Sequence, residues 1–285
     1  MSGMKIYHIC NLSPKVIFRK EEDFLITITR LAVCAYVTHT EVLAYSVMST
    51  HFHIVVRTDN LSEFLRLFKR SISTWHSHQY ANAITLSVSF RELHGRYEVQ
   101  TAINYVLKNA VHHKICDIAF VYPYSSINVY FYSELNRREY FLGEFVLQTY
   151  KCPGDLSKRE YKRLFGSHAV PDTFQILAEM LVIPESFVKS DLVCKIYSSA
   201  KIFLYNMTKP LKEELEMFGD DVDGYNADSN LVALVGKLTD IEVCRVVDAL
   251  ISPKVYSQID TSEKSVLWEK LKKMGVALPQ FERCV

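Results

Sequence analysis

The chain has 285 residues, carries 33 Lys+Arg against 32 Asp+Glu, and is 49% hydrophobic. That is enough apolar material for a real core, in one large domain or two moderate ones. A formal net charge of +1 excludes nucleic-acid binding by bulk electrostatics alone. The seven cysteines, at 10, 34, 116, 152, 194, 244 and 284, are odd in number and never spaced C-x-x-C. They argue against a disulfide framework and a cysteine zinc site, and for a reducing compartment. No window resembles a signal peptide. The most apolar early stretch, Phe24 to Val37, is interrupted by Arg30 and is too short to span a bilayer. The expectation is a soluble cytoplasmic protein with no membrane attachment.

Residues 4–10, MKIYHIC, read as a strand broken by Ser13-Pro14. From Glu21 onward, Phe24, Leu25, Ile28, Leu31, Ala32, Ala35 and Tyr36 fall on one face of a helix. EVLAYSVM (41–48) and HFHIVVR (51–57) predict two strands joined tightly at Ser49-Thr50. Asn60 with Glu63 three residues on signals a helix start, and Phe64, Phe68, Ile72 and Trp75 give that helix its apolar face. In 85–93, Leu86, Val88 and Phe90 alternate with Ser87, Ser89 and Arg91, a half-buried strand. A further helix runs from about Tyr97 to His113.

The first six elements give the β-α-β-β-α-β order of a ferredoxin-like fold. Its two helices are expected to cover one sheet face and leave the other open. After about residue 136 helical periodicity dominates and no convincing strand appears. Helix starts are expected at Ser157…Glu160 and Thr239…Glu242, and an exposed acidic loop at 218–230. The fold class is therefore α+β: a ferredoxin-like domain with a trailing helix over residues 1–135, followed by an all-helical region over 136–285. Residues 262–284 read as a helix, a turn at Gly275 and a second helix, like the front half of a helix-turn-helix.

Nine of the ten histidines precede residue 114, and through residue 135 there are 13 Lys+Arg against 10 Asp+Glu. On a strand, residues two apart face the same way, so His51 and His53 share a face opposite Phe52, Ile54 and Val56. Two adjacent imidazoles there suit chelation of one metal ion; surface histidines on an edge strand are the plain alternative. In the helix after 97, Ile103, Val106, Leu107, Ala110 and Val111 form an apolar stripe. Tyr105, Asn109 and His112 fall on nearly the opposite side, with Tyr105 and Asn109 one turn apart.

These residues carry a resemblance. His51-Phe52-His53 resembles the histidine–hydrophobe–histidine motif of the HUH single-stranded DNA endonucleases. The nearest group is the REP-associated tyrosine transposases, within the IS200-like single-tyrosine family. Met48 to His53 is similar to that group's M-P-N-H-F-H run, Tyr105 to Asn109 to its tyrosine–asparagine helix, and Tyr122-Pro123-Tyr124-Ser125-Ser126 to its Y-P-W-S-S segment. Ile17-Phe18-Arg19 before Glu21-Glu22-Asp23 recurs as well. The resemblance covers about residues 4–135. Departures are Ser49-Thr50 for proline-asparagine, Ala110 for proline and Tyr124 for tryptophan.

The resemblance implies metal-dependent cleavage and joining of single-stranded DNA bearing a hairpin, by a monomer or homodimer. Tyr105 would be the nucleophile and form a 5′-phosphotyrosine. His51, His53 and Asn109 would hold Mg²⁺ or Mn²⁺, with His112 in support. Hairpin contacts are expected from Lys5, Tyr7 and Arg19, and phosphate contacts from Arg66, Lys69 and Arg70 on the helix 61–80, with His76 and His78 beside them. Two other readings use the same residues. One is an HUH replication initiator, suggested by Tyr105-x-x-Lys108. The other is a catalytically silent, domesticated transposase that binds DNA.

Overall fold

The computed structural model describes residues 3–135, 150–177, 181–209 and 238–285. Strands β1 (Lys5–Asn11), β2 (Glu41–Val47), β3 (Phe52–Thr58) and β4 (Val88–Leu93) form one sheet in the order β2-β3-β1-β4. Every neighbouring pair is antiparallel. Helix α1 (Glu21–Val37) links β1 to β2, and α2 (Leu61–Tyr80) links β3 to β4. The ferredoxin-like order read from the sequence is the observed topology.

Local chemistry explains the boundaries. Asn60 caps α2 by accepting a hydrogen bond from the Glu63 amide at 3.3 Å, as expected. Asp23 anchors the start of α1. Its carboxylate accepts from the amides of Arg19 (2.9 Å) and Lys20 (3.1 Å), from Trp75 Nε1 (2.9 Å) and from the Tyr80 hydroxyl (2.5 Å). One carboxylate thus caps one helix and holds the end of the other, and so it is buried without an unmet lone pair.

Register decides which side chains share a face. Ile9 lies opposite Ile54 and Tyr7 opposite Val56, so these residues share a face with Phe52. That face is covered by α1 and α2; the Phe52 ring meets Phe68 of α2 at 5.2 Å. The opposite face carries His8 of β1 and His53 and Val55 of β3. It is not open, contrary to the expectation. Helix α3 (Gly95–Leu107) lies across β2 and β3. Its stripe of Ala102, Ile103, Val106 and Leu107 is fully buried there. An apolar stripe of this width must leave water, and the second sheet face supplies the surface. The helix also breaks earlier than its periodicity suggests. Lys108 interrupts it, and α4 (Asn109–His112) resumes for a single turn.

The segment Tyr122–Ser126 runs along β2. The Val47 amide donates to Tyr124 O (2.9 Å), the Ser126 amide to Tyr45 O (3.0 Å) and the Tyr122 hydroxyl to Val47 O (2.6 Å). It therefore covers an edge strand that would otherwise present unpaired backbone. A short helix α5 (Tyr132–Leu135) follows.

Helices α6 (Lys158–Phe165), α7 (Ser190–Tyr197) and α8 (Ala200–Thr208) pack onto this unit. Val193, Tyr197, Phe203 and Met207 join the sheet core, while Leu164 and Phe165 pack with Ile26, Ala32 and Val33 of α1. The region is not purely helical: β5 (Ile176–Leu177) and β6 (Leu181–Val182) pair antiparallel, tied to α1 by Val182 N donating to Thr29 Oγ1 at 3.0 Å. Two residues per strand are too few for a period-two pattern to register in sequence.

Helices α9 (Asp240–Ile251), α10 (Thr261–Lys273) and α11 (Leu278–Cys284) enclose a separate small core with Val16 at its edge. The capping boxes at Ser157/Glu160 and Thr239/Glu242 form as read. Gly275 turns between α10 and α11 at φ +83°, a left-handed conformation that favours glycine. Phe281 and Cys284 of α11 are buried in this small core, so that face of α11 packs inward. The boundary near residue 136 and the acidic loop at 218–230 lie outside the described residues.

Candidate active site

His51 stands immediately before β3 and His53 is its second residue. The step of two places both on the α3 side of the sheet, their ring centres 5.3 Å apart. From above, α3 brings Tyr105 to within 5.1 Å of the His53 ring, and α4 brings Asn109 Oδ1 to 3.0 Å from His51 Nε2. The break at Lys108 does not separate Tyr105 from Asn109; both still face the histidines. His112 lies 6.0 Å from the Tyr105 ring. The five residues expected to form the chemical centre are therefore adjacent in space.

The structure adds residues that sequence reasoning missed. His8 of β1 shares a hydrogen bond of 3.1 Å between its Nε2 and His53 Nδ1. His113 stacks obliquely 4.7 Å from His51, and Thr50 Oγ1 lies 2.9 Å from His51 Nδ1. The signal for His8 was its alternation with Tyr7 and Ile9 in β1, which becomes informative once β1 is known to lie beside β3. His113 offered no signal beyond its neighbour.

His8, His51, His53, Tyr105 and Asn109 are buried, Tyr105 at 5% exposure and Asn109 at 0%, whereas Thr50 and His112 are half-buried and His113 is exposed. Burial pushes the His8 and His51 imidazoles down to about 4; Arg91 adds to the effect at His8, and His112 at His51, where the Asn109 hydrogen bond opposes it. Burial drives His53 well below its ordinary value, with His8 and His51 contributing, and takes His113 to about 3. His112 is lowered by burial alone. The cluster is thus a set of neutral imidazoles at pH 7, the form that donates a lone pair to a metal.

The donors present fit a divalent cation. Among the described residues no group of three or more His, Cys, Asp or Glu side chains is placed to hold a metal, so the third donor here must be the amide. His51 Nε2 and Asn109 Oδ1 are 3.0 Å apart, the spacing of two cis ligands at about 2.1 Å from one ion. Asn109 Nδ2 is buried without a hydrogen-bond partner, as befits a side chain oriented for something other than the protein around it.

Comparison with solved structures finds a likeness to a REP-associated tyrosine transposase bound to a REP hairpin. It is 16% identical, has a TM-score of 0.39, and spans 48% of this chain and 82% of that one. No protein-family model matches the sequence, and no curated protein matches it. At that identity and TM-score the likeness carries no argument about function; the residues of the site have to carry it.

The expected DNA-contacting residues do not gather at this cluster. Arg19 is buried rather than surface-facing. Its Nη1 donates to Cys284 O at 2.5 Å, its Nη2 to Asp248 Oδ1 at 2.9 Å, and its guanidinium lies over the Tyr256 ring. The C-terminal helices fold back onto it, which no local pattern announces. Lys5 and Tyr7 point to the sheet face opposite His8, where Lys5 pairs with Glu92 at 2.9 Å and Tyr7 packs edge-on against Phe90. Arg66, Lys69 and Arg70 ride on α2, across the sheet from the histidines, and Arg66 forms a forked pair with Glu63. His76 is buried and bonded to Asn82 O at 2.8 Å, whereas His78 is exposed.

Proposed function

We propose that the chain cleaves and rejoins single-stranded DNA through Tyr105. The observation that carries this reading is the convergence of Tyr105, His51, His53 and Asn109 on one side of the sheet. The Tyr105 hydroxyl oxygen attacks the phosphorus of a phosphodiester, and the 3′-oxygen leaves. A 5′-phosphotyrosine and a free 3′-hydroxyl result. The link preserves a phosphodiester, so another 3′-hydroxyl reverses the step. The phenol proton passes to a neighbouring imidazole; His112, beside the Tyr105 ring and less deeply buried than His53, is the candidate acceptor. His51, His53 and Asn109 Oδ1 would hold Mg²⁺ or Mn²⁺, whose Lewis acidity when bound draws charge from a phosphate oxygen.

Lys108 does not behave as an active-site lysine. Its Nζ donates to Lys209 O at 2.5 Å and to Asn206 O at 3.4 Å, capping the end of α8. This removes the chemical motive for reading Tyr105-x-x-Lys108 as an initiator motif. For the flanking DNA, the Tyr7–Phe90 pair offers exposed aromatic surface, with Phe90 56% exposed, on which unpaired bases stack. Lys5, Lys69 and Arg70 lie on the same side of the sheet and suit phosphates.

A silent DNA-binding protein is favoured by one observation, the burial of Tyr105. A single experiment separates the two. The protein and its Tyr105→Phe variant are incubated with hairpin-bearing single-stranded DNA from the flanks of its own gene, with Mn²⁺, and run on a denaturing gel. A covalent adduct with wild type alone is expected. Binding without an adduct leaves the silent reading, and an adduct that survives Tyr105→Phe overturns the assignment of the nucleophile.

A further inference from the structure

His8 has no part in the chemistry above, yet it is hydrogen-bonded directly to His53. Its ring lies 11° from parallel to that of His53, with centres 5.2 Å apart and nitrogens 3.1 Å apart. The centre-to-centre distance is nearly the nitrogen–nitrogen distance plus two ring radii. The rings therefore sit edge to edge in almost one plane, and the hydrogen bond runs along it, not face to face as in stacking. Both residues are buried, so water does not compete for the bond.

We infer that His8 is a positioning residue that fixes the tautomer and orientation of His53 for metal binding. This rests on the metal-site reading. A neutral imidazole has one N–H and one lone pair. His53 Nδ1 is engaged by His8, so Nε2 is the nitrogen left to ligate. That requires the proton to sit on Nδ1 and to be donated to the His8 Nε2 lone pair. Metal-ligating histidines commonly donate their second nitrogen to a carboxylate, a backbone carbonyl or water. An imidazole acceptor does the same work with a difference: it adds no negative charge, so it orients His53 without weakening the pull of a bound cation on phosphate. β1 supplies the geometry. His8 stands opposite Val55 on β3, the neighbour of His53 on the same face. Thr50 Oγ1 lies at His51 Nδ1, so both histidines have Nδ1 engaged by a neighbouring polar group.

The test uses the full chain with His8→Phe, which keeps the ring and removes the acceptor, and His8→Gln, which returns an acceptor oxygen near the Nε2 position. Two readouts are taken: Mn²⁺ affinity from loss of the free-ion EPR signal, and the His53 tautomer from ring ¹⁵N NMR shifts without metal. The expected result is a 10–100-fold loss of Mn²⁺ affinity in His8→Phe, recovery to within a few-fold in His8→Gln, and a His53 proton that moves from Nδ1 to Nε2 only in His8→Phe. Equal Mn²⁺ binding by wild type and His8→Phe, or a His53 tautomer indifferent to residue 8, overturns the role of His8 and leaves the metal site standing. No Mn²⁺ binding by wild type overturns the metal site and the role of His8 with it.

Discussion

Arg19 holds Asp248 across 229 residues of sequence, Nη2 to Oδ1 at 2.9 Å, while its ring neighbour Tyr256 lies 4.0 Å from the guanidinium carbon. A residue in the run before α1 is thus the joint between the sheet unit and the last three helices. Arg19→Ala leaves the Cys284 carbonyl without its donor and opens a void beside Tyr256. The expected loss is about 3 kcal/mol of unfolding free energy, from the buried charged hydrogen bonds and the cavity together. Urea denaturation measures it. A loss below about 0.5 kcal/mol, the range of an ordinary surface change, contradicts this role.

Acid should loosen the fold through the histidine cluster. The unfolded imidazole has a value of 6.5, and burial takes His8 and His51 to about 4. Between those values the unfolded chain binds protons that the folded chain refuses, so stability falls as pH drops. These two groups cost nothing above about pH 7 and reach their full cost below about pH 4. Each is worth on the order of 3 kcal/mol over that window. Urea midpoints at pH 7.5, 6 and 5 give the slope. His51→Gln, which has no ring to protonate, should show a shallower fall than wild type; identical slopes would sink the assignment.

Asn109 separates ligation from packing. Asn109→Leu keeps the volume and removes the oxygen, and should weaken Mn²⁺ at least tenfold. Asn109→Asp supplies a harder, charged oxygen at the same place and should bind Mn²⁺ at least as well as wild type. Calorimetric titration decides, and comparable binding by all three forms would show that the amide is not a donor.

Lys108→Met tests the rejection of the initiator pattern. The ammonium is lost from the end of α8, at a cost of about 2 kcal/mol. Adduct formation per folded molecule should stay within about threefold, since a change of that size in rate is under 1 kcal/mol at the barrier. A hundredfold loss of adduct with an unchanged melting temperature would return Lys108 to the active site.

The sheet order and both its helices were legible in the sequence, because period-two and period-3.6 patterns are local and a cap such as Asn60 marks its own helix. So were His51, His53, Tyr105 and Asn109, each fixed to a face by its own element. What escaped was everything set by register between distant strands or by the return of the chain. His8 matters only because β1 lies beside β3. Arg19 reads as a surface cation until α9 and α11 close over it. Which sheet face Lys5 and Tyr7 take stays open until the alternation of β1 is pinned by Ile9 against Ile54. The break at Lys108 escaped too: its side chain is drawn to carbonyls about 100 residues away.

The joint at Arg19 also sets a timetable for making the protein. Its carboxylate partner is synthesised 229 residues after it. At about 5–20 residues per second on the ribosome, that is an interval of roughly ten to fifty seconds. Throughout it the guanidinium lacks its hydrogen-bond partners Asp248 and Cys284, and the Val16 amide lacks Arg283 O, to which it later donates at 2.8 Å. The strands and α1 to α3 are out of the tunnel long before then. Every residue of the histidine–tyrosine cluster is therefore made before Asp248, so a nascent chain passes through a stage in which all its chemistry has been synthesised and the helices that close over the Arg19 side chain have not.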